Sequence, residues 1–448
     1  MKKRQDLTNG DVRGHLWRLG LPMALGIIAV MSIGLVDAWF LGQVGTAELA
    51  AISFSFPVTF AIASVAIGLG AGASSVVARA IGTGDQHRVK RLATDSLALA
   101  VLVVIVLSVL GWTTSSMLFT AMGAEGEVLE LVIAYMDIWY FGMPFLVVPM
   151  VAGSLLRATG DARIPSLTMI LSAVVNIILD PIMIFGLGPI PAMGMEGAAW
   201  ATLIARAFSM VLALSVLVFR ERLIVLERTA WQDIRSSWRQ VVSVGVPASL
   251  ANMINPLALA VITAILARYN SETVAAFGVA GRIEALAAIP MLALSASIGP
   301  ITGQNHGAGL PHRIHTAMVD SFLFCLLWSA GMALLFWLSG HWFGGLFSDD
   351  PVVIEGIASY LHIVPITLGG YGIVIVASAA YNALGLGLHA MGFYLIRSVL
   401  LYVPLAWLAS IWFDVSGVFV ALAVANLLSG ALIYRLSLSG IDRTAKKG

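Results

Sequence analysis

Two stretches put a carboxylate where its neighbours are apolar: SIGLVDAWFLGQVG holds Asp37, and NIILDPIMIFG holds Asp180. An ionised carboxylate at the centre of a bilayer costs about 2.5–3.5 kcal/mol on insertion scales. It escapes that cost by facing a cavity, by pairing, or by taking up a proton. Two carboxyls in one partly dry pocket titrate as a pair and suit proton exchange. The same oxygens, joined by an amide and a hydroxyl, suit a Na⁺ ion. Asn176 supplies the amide, four residues before Asp180 and therefore one turn deeper on the same helical face. Thr202 supplies the hydroxyl and Tyr135 a phenol. The candidate Na⁺ ligands are thus Asp37, Asn176, Asp180 and Thr202, and the choice between proton and Na⁺ stays open. Structural roles compete: Asp37 reaching interfacial water, Asp180 capping the break before Pro181 or pairing with Arg206, Tyr135 anchoring at the interface, and Thr202 bonding its own backbone.

These residues need helices to hold them. The chain has 448 residues, 59% hydrophobic and 11% charged, with a mean hydropathy of +0.94. Soluble domains carry roughly a quarter charged residues, so the composition specifies an all-α integral membrane protein. Runs long enough to cross a bilayer fall at 15–41, 47–81, 92–119, 127–157, 162–187, 196–219, 238–268, 272–302, 313–339, 351–384, 388–412 and 415–438. Lys2, Lys3, Arg4, Arg88, Lys90, Arg91, Arg157, Arg163, Arg220, Arg222, Arg228, Arg235, Arg239, Arg313, Arg443, Lys446 and Lys447 lie on one side of these spans. The opposite connections carry Glu48, Glu125, Glu127, Glu130, Glu196, Glu272, Asp349, Asp350, Glu355 and Asp414. The positive-inside tendency places both termini in the cytoplasm. Helices 1 and 5 then run outward and helices 4 and 6 inward, which sets Asp37, Asp180, Asn176, Tyr135 and Thr202 in one outer slab of the membrane.

The net charge of +1 gives no field for nucleic acid. The single cysteine, Cys325, excludes an intramolecular disulfide. The first apolar run is too long for a signal-peptide core and reads as a retained helix. No H-E-x-x-H or G-x-S-x-G motif occurs, so an intramembrane enzyme is not expected, and no bound cofactor beyond the coupling ion is implied.

The chain repeats itself at an offset of 225 residues. GLPMALG from Gly20 answers GVPASLA from Gly245, pairing Pro22 with Pro247; Tyr135 meets Tyr360 and Gly160 meets Gly385. Beyond helix 5 the offset slips to about 220, where Thr202 meets Leu422. Six spans per repeat give both halves the same orientation, the parallel kind of duplication. The expected architecture is two pseudo-symmetric six-helix lobes, 14–220 and 238–440, joined by a cytoplasmic loop at 221–237. Such lobes rock about a central cleft, as a transporter requires. The repeat fails where the chemistry lies: Asp37 maps to Ile262, Asp180 to Leu405 and Asn176 to Leu401. The polar set is concentrated in the first lobe.

Pro22 frees a helical carbonyl and permits a bend, so it is the candidate conformational hinge. Arg282 and Glu284 form a possible second polar site, with a structural ion pair as the alternative. Asp137 and Asp320 are open to local pairing. The glycines of IGLGAGASS resemble a phosphate loop, but no strand precedes them and no lysine follows, so close helix packing explains them better.

GLPM opening helix 1, VDAWFLGQVG at its end, LLRATGDARIP after helix 4 and NIILDPIMIFG in helix 5 resemble the multidrug and toxic compound extrusion (MATE) family over residues 14–440. The combination of Asp37 with NIILDP is most similar to the branch typified by DNA-damage-inducible protein F. That resemblance implies a monomeric antiporter in the cytoplasmic membrane of a prokaryote. It would export small amphiphilic, often cationic compounds in exchange for H⁺ or Na⁺. In that branch Asp37, Asn176 and Asp180 would carry the coupling, with Tyr135 and Thr202 in support. Another branch uses an acid early in helix 7; here that region reads ANMINPLALA, with Asn252 and Asn255 and no acid. The alternative function is flipping of a lipid-linked precursor, for which Arg206, Arg282 and Arg397 are the available cations.

Overall fold

The computed structural model describes residues 6–224 and 233–445. Lys2, Lys3, Arg4, Arg228, Lys446 and Lys447 lie outside the described residues, as do residues 225–232 of the 221–237 connection. The described residues are helical almost throughout, without strands. The order is α1 (Val12–Val44), α2 (Thr46–Gly82), α3 (Gln86–Ala121), α4 (Gly126–Ala158), α5 (Arg163–Phe185), α6 (Gly194–Ser215), α7 (Ile234–Leu266) and α8 (Ser271–Ala287). Then come α9 (Ile289–Gly307), α10 (Pro311–Phe347), α11 (Pro351–Ile363), α12 (Leu368–Ala383), α13 (Gly387–Tyr394), α14 (Val403–Trp412) and α15 (Asp414–Ala445). Several starts are written locally: the Asp85, Asn270 and Asp350 side chains accept backbone N–H bonds at the first turns of α3, α8 and α11.

Among the described residues, eleven helical stretches are long and apolar enough to cross a membrane, and α8 with α9, bent by 45°, completes twelve if counted as one span. Large apolar side chains such as Trp112 and Trp337 are exposed, as on a surface meeting lipid. Four expected spans change winding along their length, among them 196–219, which ends in a π-helix over Val216–Arg220. The 272–302 span breaks at Ala288, where Pro290 has no N–H to continue the ladder. The 351–384 span passes through a 3₁₀ turn at Pro365–Thr367. The 388–412 span widens into a π-helix over Leu395–Tyr402. Hydrophobicity fixes a span's extent but is blind to these changes of winding.

The chain forms two compact units, Pro22–Ser249 and Asp6–Leu21 with Leu250–Gly448. Their boundaries differ from the loop at 221–237, because α1 and α7 each divide internally. The start of α1 belongs with the second repeat: Leu7 N donates to Gln304 Oε1 at 3.1 Å, and Asn305 Nδ2 donates to Leu7 O at 3.2 Å. Arg13 pairs with Asp320 at 2.9 Å, which gives Asp320 a partner from far along the chain.

The start of α7 belongs with the first repeat. A Cβ at Gly68 would overlap the Ser249 hydroxyl and the Gly245 carbonyl, and one at Gly72 would overlap the Val241 carbonyl. The IGLGAGASS glycines therefore serve helix contact. Trp238 Nε1 donates to Asp95 O at 3.0 Å, and Arg91 pairs with Asp233 at 2.9 Å in the same unit.

Candidate functional site

Asn176 and Asp180 project from one face of α5, and both are 0% exposed. Asn176 Nδ2 donates to Asp180 Oδ1 and to Thr202 Oγ1, each at 3.2 Å. Thr202 reaches them because α6 lies close against α5: a Cβ at Gly197 would overlap the Met183 carbonyl. Asp37 enters from α1, buried, with its carboxyl in hydrogen-bonding reach of Asp180. Tyr135, buried on α4, feels the charges of Asp37, Arg206 and Asp180. The five residues singled out in the sequence thus meet in one unit. Tyr135 joins by proximity, without a hydrogen bond to the other four.

Arg206 is the member whose place the sequence did not fix. It lies one turn beyond Thr202 on α6, and that four-residue spacing was the available signal. Its guanidinium sits 5.5 Å from the Trp139 ring centroid, and its charge acts on Asp37 and Tyr135. Among the described residues it forms no ion pair within 4.0 Å, so the alternative of a direct Asp180–Arg206 pair is not realised.

Within this cluster three buried oxygens receive no hydrogen bond from a described residue: Asp37 Oδ1, Asn176 Oδ1 and Asp180 Oδ2. Unsatisfied buried acceptors in one pocket are costly unless something visits them. Two carboxyls within hydrogen-bonding reach can bond only when one carries a proton. Hard oxygen donors also fit a small alkali cation. The arrangement can therefore take up and release a positive charge.

Pro22 opens the Pro22–Ser249 unit, and Ser249 closes it two residues after Pro247. Both helices thus change unit beside the prolines that the repeat pairs. The Ser166 hydroxyl donates to the Pro22 carbonyl, tying α1 to the start of α5, the helix that carries Asn176 and Asp180.

A family profile described as MatE matches residues 22–182 and 247–408, one match in each repeat. The chain belongs to the MATE family. It is 40% identical to the FAD transporter of Shewanella oneidensis, across 98% of this chain and 97% of that one. It is 26% identical to the probable multidrug resistance protein YoeA of Bacillus subtilis, across 96% and 95% of the two chains. The crystal structure of the Vibrio cholerae MATE transporter VcmN in the bent form superimposes with a TM-score of 0.92 at 27% identity, covering 97% of this chain and 98% of that one. MATE proteins are multi-pass membrane transporters of small organic compounds, built from twelve helices in two lobes; they are not enzymes and need no bound cofactor.

The second lobe of this MATE chain treats its polar residues differently. Ile262, the counterpart of Asp37, is fully buried, so an aliphatic side chain fills the same place in the fold. Arg282 is exposed, while the Glu284 carboxylate accepts a hydrogen bond from Tyr360, the counterpart of Tyr135. Arg282 and Glu284 do not pair.

Proposed function

We propose that this protein is a proton-coupled antiporter of the branch typified by DNA-damage-inducible protein F. It acts as a monomer in the cytoplasmic membrane of a prokaryote, with both termini inside, and exports amphiphilic, often cationic organic compounds. The observation that carries the reading is the Asp37–Asp180 carboxyl pair within hydrogen-bonding reach, set beside Asn176 and Thr202. With one proton the carboxyls hold α1 to α5; without it two like charges repel in a buried space. Proton uptake from outside closes the pair, α1 bends at Pro22, the pocket contracts and substrate leaves. Release of the proton inside reopens the pocket.

A Na⁺ ion is the second reading, favoured by the three open oxygens of Asp37, Asn176 and Asp180. For the substrate, a flavin dinucleotide is a second reading beside general amphiphiles, favoured by 40% identity to a protein named as an FAD transporter. The test is efflux of a fluorescent cation and of FAD from proteoliposomes under an imposed proton gradient or an imposed sodium gradient. Efflux driven by the proton gradient alone supports the proposal. Efflux driven only by sodium replaces the proton with Na⁺, and efflux indifferent to both refutes coupling.

A further inference from the structure

Arg397 lies in the second unit, 3% exposed, on the π-helical stretch Leu395–Tyr402. Wide π turns recur at functional sites. Nε donates to Asn426 Oδ1 at 2.8 Å and Nη1 to Asn255 Oδ1 at 2.9 Å. The guanidinium carbon sits 4.0 Å from the Tyr371 ring centroid. Asn426 is itself held by donating to Thr367 Oγ1 at 3.2 Å, and Asn255 by donating to Tyr371 Oη at 3.4 Å. The fork is thus fixed on two edges and one face, while Nη2 makes no hydrogen bond to a described residue.

Every one of these partners is neutral. No carboxylate among the described residues pairs with Arg397 within 4.0 Å. Glu284 lies near enough for its charge to be felt, but its carboxylate is engaged by Tyr360. A buried cation held rigid by amides without a bonded counter-ion is an expensive thing to keep for structure alone. The fold does not demand it either: at the 225-residue offset Arg397 corresponds to Ser172. Half-buried Tyr371 and Asn255 contact the guanidinium, and half-buried Tyr394, three residues before Arg397, lies within reach of its charge.

We propose that Arg397 is the anion-recognition subsite of the transported compound, taking a phosphate group on its free edge while Tyr371 and Tyr394 face the less polar remainder. Planar guanidinium suits phosphate oxygens in a way a lysine does not. Glu284 is then the resident counter-charge that an arriving anion must tolerate. The inference rests on the second substrate readings, a flavin dinucleotide or a lipid-linked precursor, rather than on the export of cations. The phosphate could belong to a soluble dinucleotide or to a lipid head group.

The test measures binding to the full chain in phosphatidylcholine nanodiscs, using FAD against riboflavin and dihexanoyl phosphatidate against dihexanoyl glycerol. The expected result is that the wild type favours at least one phosphate-bearing probe over its phosphate-free partner by about 10-fold or more. Arg397→Gln abolishes that preference, Arg397→Lys keeps only part of it, and Glu284→Gln strengthens it. A purely structural Arg397 would not make Arg397→Lys and Glu284→Gln move anion affinity in opposite directions. A preference for phosphatidate alone keeps the subsite and removes the dinucleotide reading. Phosphate preference that survives Arg397→Gln in folded protein overturns the subsite while leaving the phosphate-bearing substrate reading intact. The absence of preference in the wild type overturns both.

Discussion

Asn176→Val separates a proton from a sodium ion by the sign of its effect. In the wild type, Asn176 Nδ2 donates to Asp180 Oδ1 at 3.2 Å in a place with 0% exposure. A donor on a carboxylate favours its ionised form, and such a bond to a charged group contributes about 1.5–3 kcal/mol. Removing it makes the proton harder to lose. At 1.36 kcal/mol per pH unit, the pH midpoint of proton-driven efflux moves upward by about 1–2 units. Sodium behaves oppositely, because the variant also deletes Asn176 Oδ1, one of the three open oxygens. Its apparent affinity falls by about 10-fold or more, since 1.4 kcal/mol is a factor of ten. The assay is efflux from proteoliposomes across a pH series at constant driving force, repeated with a sodium series. Thr202→Val is the control, since it leaves the Asn176–Asp180 bond in place and moves the midpoint less. A folded Asn176→Val protein with an unmoved or acid-shifted midpoint refutes the role given to this amide.

Pro22→Ala restores a helical N–H where α1 changes unit. It is expected to slow net export several-fold while equilibrium substrate binding, read by fluorescence titration, stays near wild type. Gly68→Val places atoms in the Ser249 hydroxyl and Gly245 carbonyl and is expected to destabilise by about 1–3 kcal/mol, read as earlier thermal unfolding in detergent. Asp6, outside the spans, is held below the usual carboxylate range chiefly by the Thr8 hydroxyl. With its folded value depressed, its contribution is complete above about pH 4 and is lost as pH falls through the lower folded value. Asp6→Asn should therefore lower the melting temperature slightly at pH 7 and converge with wild type in acid.

The candidate coupling residues were legible because their geometry is short-range or repeated. Asn176 and Asp180 share a helical face by spacing alone, and the duplication isolated Asp37 by showing Ile262 in its place. The Arg397 cluster was not legible in this way. Its guanidinium meets Asn255 across 142 residues and Asn426 across 29, on a stretch whose π winding leaves no mark in apolar periodicity. The unit boundary inside α1 escaped for a related reason. Charge counting finds the loop between repeats, but only tertiary contacts such as Arg13–Asp320 show that Asp6–Leu21 belongs with the second one. Arg206 was visible as a cation, while its placement over the Trp139 ring in place of a pairing with Asp180 depends on side-chain direction.

The most direct measurement compares gradient-driven export with substrate exchange at zero gradient for Asp37→Asn and Asp180→Asn in proteoliposomes. If the carboxyl pair couples transport, each variant loses uphill export by at least an order of magnitude and still exchanges substrate on both sides. Uphill export at the wild-type rate in either variant would contradict the coupling role of the pair.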